Sequence, residues 1–268
     1  MVTRGPLGFS EVDKSEEPAR CVEGMDRMAA RPAILESRRR MRELLGAKPG
    51  DRMLDVGCGT GEETAELAKL VSPDGSAVGV DLSGTMLAQA RQRFASKGLP
   101  VDFRAGDANQ LEFPDNFFDG CRAERVLQHL DDPARAVAEM ARVIRPGAWL
   151  VVSAPDWLAA TFESGHPEFD QPFTRFFSSL DKSSSVGRQL FRLLLQCGLS
   201  DAVVHPFFSI LTDLAELETW MRFTNAREKM DRQGTLAKEG FDQVMMRLRS
   251  GDPFLLSTPR YIVGARKP

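Results

Sequence analysis

The 268-residue chain predicts an α/β domain: a seven-stranded, mostly parallel sheet with helices on both faces. Three observations carry this. Between residues 52 and 154, short apolar runs alternate with helical patterns, which is the order of strands joined by crossover helices. Gly57, Gly59 and Gly61 stand between the first apolar run and the first helical one, where open parallel sheets place a ligand. Apolar runs return near 202–210 and 260–265, so the core resumes at the end of the chain.

In chain order, the first fifty residues are polar, and 31–45 sets Ile34, Met41, Leu44 and Leu45 among arginines as an amphipathic helix. The five strands that follow are expected at 53–56, 77–80, 101–103, 118–121 and 149–153. Crossover helices are expected at 62–70, 84–94 and 133–144, the last stopped by Pro146-Gly147. After Pro155 comes a phenylalanine-rich segment without a clear period, which reads as an insertion. A helix over 186–197 is capped by Gly198, and a long helical stretch over 211–249 precedes the last strand. The expected units are 1–48 (arm and lid helix), 49–155 (ligand-binding core), 156–183 (insertion), 184–210 (core helix and strand six), 211–252 (helical insertion) and 253–268 (last strand).

Composition narrows the function. Lys plus Arg number 35 against 38 Asp plus Glu, so a polyanion-binding surface is not the main design and no nucleic-acid partner is expected. No apolar run approaches the roughly 18 to 20 residues that cross a bilayer, and the N-terminus lacks the apolar core of a signal peptide. The expectation is a cytoplasmic protein with no membrane partner, a monomer or a homodimer. Four scattered cysteines and three histidines give no metal site, so none is expected.

The glycine turn separates two ligand classes. A dinucleotide turn needs G-x-G-x-x-G, but the third glycine's place is taken by Glu62, which would repel a pyrophosphate. A ligand with a small carboxylate and a positive middle, an ammonium and a sulfonium, suits it better, and Asp55 can meet the positive part. The second strand ends in Asp81, placed to accept the hydroxyls of a free ribose. The third ends in Gly106-Asp107-Ala108, with a carboxylate suited to an adenine amino group, and Leu82 and Met86 can sandwich the ring.

Taken together, LDVGCGTG, GVDLS, GDA, FPDNFFD and EMARVIRPG resemble the class I S-adenosylmethionine-dependent methyltransferases, in the bacterial small-molecule branch of ubiquinone/menaquinone-type and natural-product enzymes. The resemblance covers about residues 40 to 155. It implies a Rossmann-like sheet whose last strand is antiparallel, with S-adenosylmethionine as cofactor and S-adenosylhomocysteine as product. It also implies that Asp55 and the turn Gly57, Cys58, Gly59 and Gly61 surround the methionyl part. Asp81 would then bind ribose, Asp107 and Ala108 face adenine, and Arg122, Ala123 and Gln128 line the methyl end. Ala148 departs from the glycine many relatives carry there.

Methyl transfer is an in-line displacement that needs the acceptor about 3 Å from the methyl carbon and water excluded. A hydroxyl acceptor needs a base; an amine, thiol or electron-rich carbon needs chiefly orientation. The base candidates are Glu124, His129 and His166; Glu124 can equally form a structural ion pair, and His129 can simply pack the turn before Asp131. Trp157, Phe173, Phe176 and Trp220 are expected to roof an apolar or aromatic acceptor, although the same rings can form a lid's own small core. The expected function is C-, N- or O-methylation of a small aromatic or hydrophobic metabolite in natural-product biosynthesis. The alternative is a cyclase or isomerase that keeps the cofactor.

Overall fold

The computed structural model describes residues 12–13, 18–179, 181–218 and 226–268. Strands β1 (Arg52–Val56), β2 (Ser76–Asp81), β3 (Val101–Ala105), β4 (Phe118–Glu124) and β5 (Ile144–Pro155) run parallel in the order β3-β2-β1-β4-β5. The sheet continues through β8 (Leu255–Arg266), antiparallel to β5, and β7 (Ser200–Leu211), antiparallel to β8. The inner strands β1, β2 and β4 are buried almost throughout because both of their faces are covered, whereas β3 at the edge buries only Phe103. Helices α2 (Pro32–Leu45) and α3 (Glu62–Val71) pack on one face through Met41, Leu45, Leu67 and Val71. Helices α5 (Pro133–Val143) and α7 (Val186–Gln196) cover the other with Val137, Met140, Leu190 and Leu194. Helix α4 (Gly84–Phe94) sets Leu87 and Ala90 against Phe103 of β3.

The sheet has eight strands, not seven. The additional β6 (Thr161–Glu163) lies inside the expected insertion and pairs with residues 255–257 of β8. The cause is the length of β8. Its partner β5 pairs only with 260–266, and β6 takes up backbone groups of the remainder along the same edge. Pro146 and Gly147 do not stop a helix; they lie within β5, where the register jumps from Phe118↔Ile144 to Gly120↔Trp149. A bulge tolerates a residue with no N–H and one at φ +81°. The expected helical stretch 211–249 is also broken. Strand β7 runs to Leu211, and α8 (Ala226–Arg232) and α9 (Lys238–Ser250) are separated by a turn at Gly234, φ +63°. A further helix, α1 (Pro18–Ala29), precedes α2, and Arg93 of α4 holds it through Asp26 at 2.7 Å.

The two insertions meet in one apolar core. Phe162, Phe169, Phe173 and Phe176, the last three from α6 (Pro167–Ser178), pack with Leu217, Met230, Phe241, Leu248 and Phe254. Stacked and edge-on ring pairs bind them, Phe162 and Phe173 at 4.7 Å.

Candidate functional site

A cavity of about 800 Å³ opens at the carboxyl ends of β1 to β4. Over it lie Met25 and Met28 of α1, and the pair β7 and β8 walls its far side with Ser209, Leu211, Leu256, Thr258 and Arg260. It is large enough for a nucleoside and a second small molecule.

At one end the backbone does most of the shaping. Gly57 and Gly59 have φ of +70° and +54°, and a Cβ on Gly57 would lie 2.1 Å from Val126 Cγ2. Gly57 N and Cys58 N donate to Val80 O, which folds the turn over the end of β2. Asp81 Oδ2 accepts from Gly59 N at 2.8 Å and Oδ1 from Ser83 N at 2.9 Å, leaving each oxygen a lone pair for a hydroxyl. Burial pushes the Asp81 carboxyl upward, and the bonds from Ser83 and Gly59 oppose that. Val80, Met86 and Ala108 make an apolar wall, while Gly106, Asp107 and the 71 % exposed Leu82 lie at the mouth. Asp13, which sequence reasoning missed, accepts from Ser83 Oγ and the N–H groups of Gly84 and Thr85. Hydrogen bonds from Ser83 and Thr85 hold its carboxyl down at about 2. An acceptor-only carboxylate, a glycine turn and an apolar slot fit the ribose, methionyl and adenine parts of an S-adenosyl nucleoside.

Asp55, Cys58, Gly61, Arg122 and Ala123 do not line the cavity. Asp55 and Arg122 are cross-strand partners on β1 and β4, both 2 % exposed, and lie beneath it. Asp55 accepts from Thr64 Oγ1 at 2.8 Å and pairs with Arg122 Nη1 at 3.3 Å. Burial raises Asp55 to about 6 against the pull of Arg122 and Thr64. Cys58 is buried against Gly79, Ala123 is in the core, and Gly61 allows Phe103 and Ala90 to approach the turn.

The other end is built from side chains. His129 Nδ1 lies 3.0 Å from Asp181 Oδ1, and Trp157 Nε1 donates to Asp181 Oδ2 at 2.6 Å. Gln128 Nε2 donates to Arg125 O and lies 3.2 Å from His129 Nε2. All five residues line the cavity. Glu124 also reaches it, but Arg38 Nε and Arg122 Nη2 donate to its Oε2 at 2.8 and 3.0 Å. Burial alone would raise its carboxyl; Arg38, Arg122, Arg125 and Arg260 overcome that and hold it at about 2. So acidic a group is a weak proton acceptor.

His166 is not at the cavity; its Nε2 lies 3.2 Å from Asp252 in the appended core region. Phe173 and Phe176 do not reach the cavity either, because α6 turns its apolar stripe into the core of the insertions. Trp220 lies outside the described residues. Asp181, Arg260 and the β7 and β8 positions were not found from the sequence, and no local motif marks them.

The fold is an α/β sheet with a cavity at its strand ends, one end shaped by backbone and the other by side chains. Comparisons agree. Residues 54–152 match a family model described as a methyltransferase domain. The chain is 35 % identical over 244 residues to an uncharacterized 37.1 kDa protein in transposon TN4556 of Streptomyces fradiae, covering 90 % of this chain and 70 % of that one. It is 33 % identical over 158 residues to the ubiquinone/menaquinone biosynthesis C-methyltransferase of Pseudomonas fluorescens, 54 % of this chain and 62 % of that protein. Among solved structures, Haemonchus contortus phosphoethanolamine N-methyltransferase 2 in complex with S-adenosyl-L-methionine matches with a TM-score of 0.61, at 19 % identity over 97 % of this chain and 60 % of that one. The [4+2]-cyclase SpnF matches at 0.53, with 23 % identity over 87 % and 80 %. The chain belongs to the class I S-adenosylmethionine-dependent methyltransferases, whose methyl donor is S-adenosylmethionine.

Proposed function

We propose that the chain methylates a small aromatic or otherwise apolar metabolite, with His129, oriented by Asp181, as the base that takes the acceptor's proton. The observation that carries this reading is the shared cavity. Asp81 and the glycine turn stand at one end, and His129, Asp181 and Trp157 at the other.

Bound S-adenosylmethionine supplies an electrophilic methyl group on a sulfonium. Asp81 holds the ribose hydroxyls, and Val80, Met86 and Ala108 pack the base. Trp157, pinned by its indole N–H on Asp181, offers the acceptor a flat wall. In this reading the proton of neutral His129 sits on Nδ1, which lies 3.0 Å from Asp181 Oδ1, a buried oxygen that accepts no hydrogen bond among the described residues, and Nε2 is left to accept. The Gln128 amide donates to that lone pair in the absence of a substrate, and an acceptor O–H or N–H takes its place. Met25 and Met28 line the same cavity and present apolar surface that disfavours water beside the reacting atoms.

The test is an acceptor screen that follows S-adenosylhomocysteine release together with a product heavier by one methyl. His129→Ala should lower kcat by about 10²- to 10⁴-fold while cofactor affinity holds. Conversion of an acceptor without release of S-adenosylhomocysteine would make the chain a cofactor-retaining cyclase or isomerase instead. An unchanged kcat in the variant would remove His129 from the chemistry.

A further inference from the structure

Arg260 presents an unusual charge. It is 5 % exposed and lines the cavity, yet its Nε and Nη1 have no hydrogen-bond partner among the described residues. Among the described residues, its guanidinium lies over the ring of Phe207, 5.9 Å from the centroid. Arg125, on the same cavity, makes no ion pair among the described residues; its guanidinium donates to the sulfurs of Met28 and Met25, and Glu124 and Asp181 act on it only at longer range. The surrounding arginines each have an acid, although Arg31 Nε and Arg122 Nε also lack a hydrogen-bond partner among the described residues: Arg31 pairs with Glu216, Arg38 with Glu124, Arg42 with Glu63, and Arg122 with Asp55 and Glu124. Glu124, whose charge acts on both arginines, accepts two bonds on Oε2, while its buried Oε1 has no hydrogen-bond partner among the described residues and bonds neither Arg125 nor Arg260.

An unpaired buried cation costs stability, and replacing it by an apolar residue would usually be harmless or helpful. Burial and the neighbouring cations Arg125, Arg31 and Arg38 press the Arg260 guanidinium down to about 9, with Glu124 opposing. Arg125 is held by its backbone in a left-handed conformation, φ +58°, which a non-glycine residue adopts only where surroundings enforce it. Around Arg260, the paired positions Ser209↔Thr258 and Leu211↔Leu256 place two hydroxyls and two apolar side chains on the same cavity wall.

We propose that the methyl acceptor is a carboxylate-bearing molecule whose acid group seats on Arg260 and Arg125, while its apolar body lies along Leu211, Leu256 and Trp157. This deepens the methyltransferase reading and rests on it. The carboxylate supplies the partner that the fold withholds, and the planar fork of each guanidinium suits its two oxygens. Neutral analogues would leave both cations desolvated and unpaired, so the site discriminates by charge as well as shape.

The experiment uses the full chain and calorimetry. S-adenosylhomocysteine is titrated first; then, with that nucleoside saturating, benzoic, phenylacetic and indole-carboxylic acids are titrated beside their matching neutral carboxamides. At least one acid should bind ten- to hundredfold more tightly than its amide. Arg260→Met should erase that preference, leave S-adenosylhomocysteine affinity unchanged and hold or raise Tm; Arg260→Lys should retain part of the preference. Acids bound no better than amides, or not bound at all, overturn the proposal. So does Arg260→Met weakening S-adenosylhomocysteine as much as the acid, which would assign the guanidinium to the cofactor's own carboxylate. If the unaltered chain fails to bind S-adenosylhomocysteine, the cofactor reading falls first and this proposal with it.

Discussion

The two ends of the cavity are made by different means. The end proposed for the nucleoside is built from backbone: positive-φ glycines, strand-end N–H groups and one acid, most of them between residues 57 and 108. The second end gathers His129, Trp157, Asp181, Ser209 and Arg260 from segments spread over more than a hundred residues. A backbone-built site tolerates changes of side chain outside the turn and keeps its ligand; a side-chain-built site can be re-specified by one substitution on β7 or β8. Beneath both lies the ion network of Asp55, Glu63, Arg38, Arg122 and Glu124, which ties β1 and β4 to α2 and α3.

Disturbing that network should have the largest effect. Glu124→Gln leaves Arg38 and Arg122 short of a partner in a buried setting and should cost about 3–5 kcal/mol in chemical denaturation. Its pH dependence follows from the low folded-state value. The contribution of Glu124 is complete above its ordinary 4.5 and is lost as pH falls through about 2, so the variant should lose that acid-range slope. Asp55 has the opposite sign: raised to about 6, it gains a proton in the folded state first, and stability rises as pH drops from above 6 toward 3.8.

The comparison between the ends is sharpened by Asp181→Asn. It should lower kcat at least about 10²-fold by releasing the His129 tautomer, with no change in S-adenosylhomocysteine affinity. Equal losses in kcat and cofactor affinity would mean that the two ends are not separable. Asp81→Ala is the mirror image. We expect about 1.5–3 kcal/mol lost from cofactor binding by calorimetry, with acceptor affinity at saturating cofactor intact. The smallest effect is expected from Asp13→Ala, about 1 kcal/mol in cofactor affinity, because that carboxylate only braces the first turn of α4 beside the nucleoside. A loss as large as that of Asp81→Ala would promote Asp13 to a direct ligand contact.

Much of the core was legible because its signals are local. Strands β1 to β4 and helices α3, α4 and α5 fall where the apolar periods place them, within a few residues at the ends, whereas β5 already begins at Ile144 instead of residue 149. Asp81 and Gly57 could be read because a strand end followed by a glycine turn fixes their direction whatever the rest of the chain does. The phenylalanines were ambiguous for a physical reason: Phe173 and Phe176 carry the same apolar surface whether they roof a ligand or fill a core, and only the packing of α6 against Phe241 and Met230 decided for the core. His129 and His166 looked alike in sequence, and Asp181 and Asp252, distant acids, gave them different surroundings.

The sequence by itself determined the α/β core and the backbone-built end of the cavity, since both depend on residues close together along the chain and on conformations that glycine adopts freely. Only the tertiary structure decided the side-chain-built end. Whether Arg260 faces the cavity or the opposite side of the sheet depends on the register of β8 against β5 and β7, and a slip of one residue would reverse it.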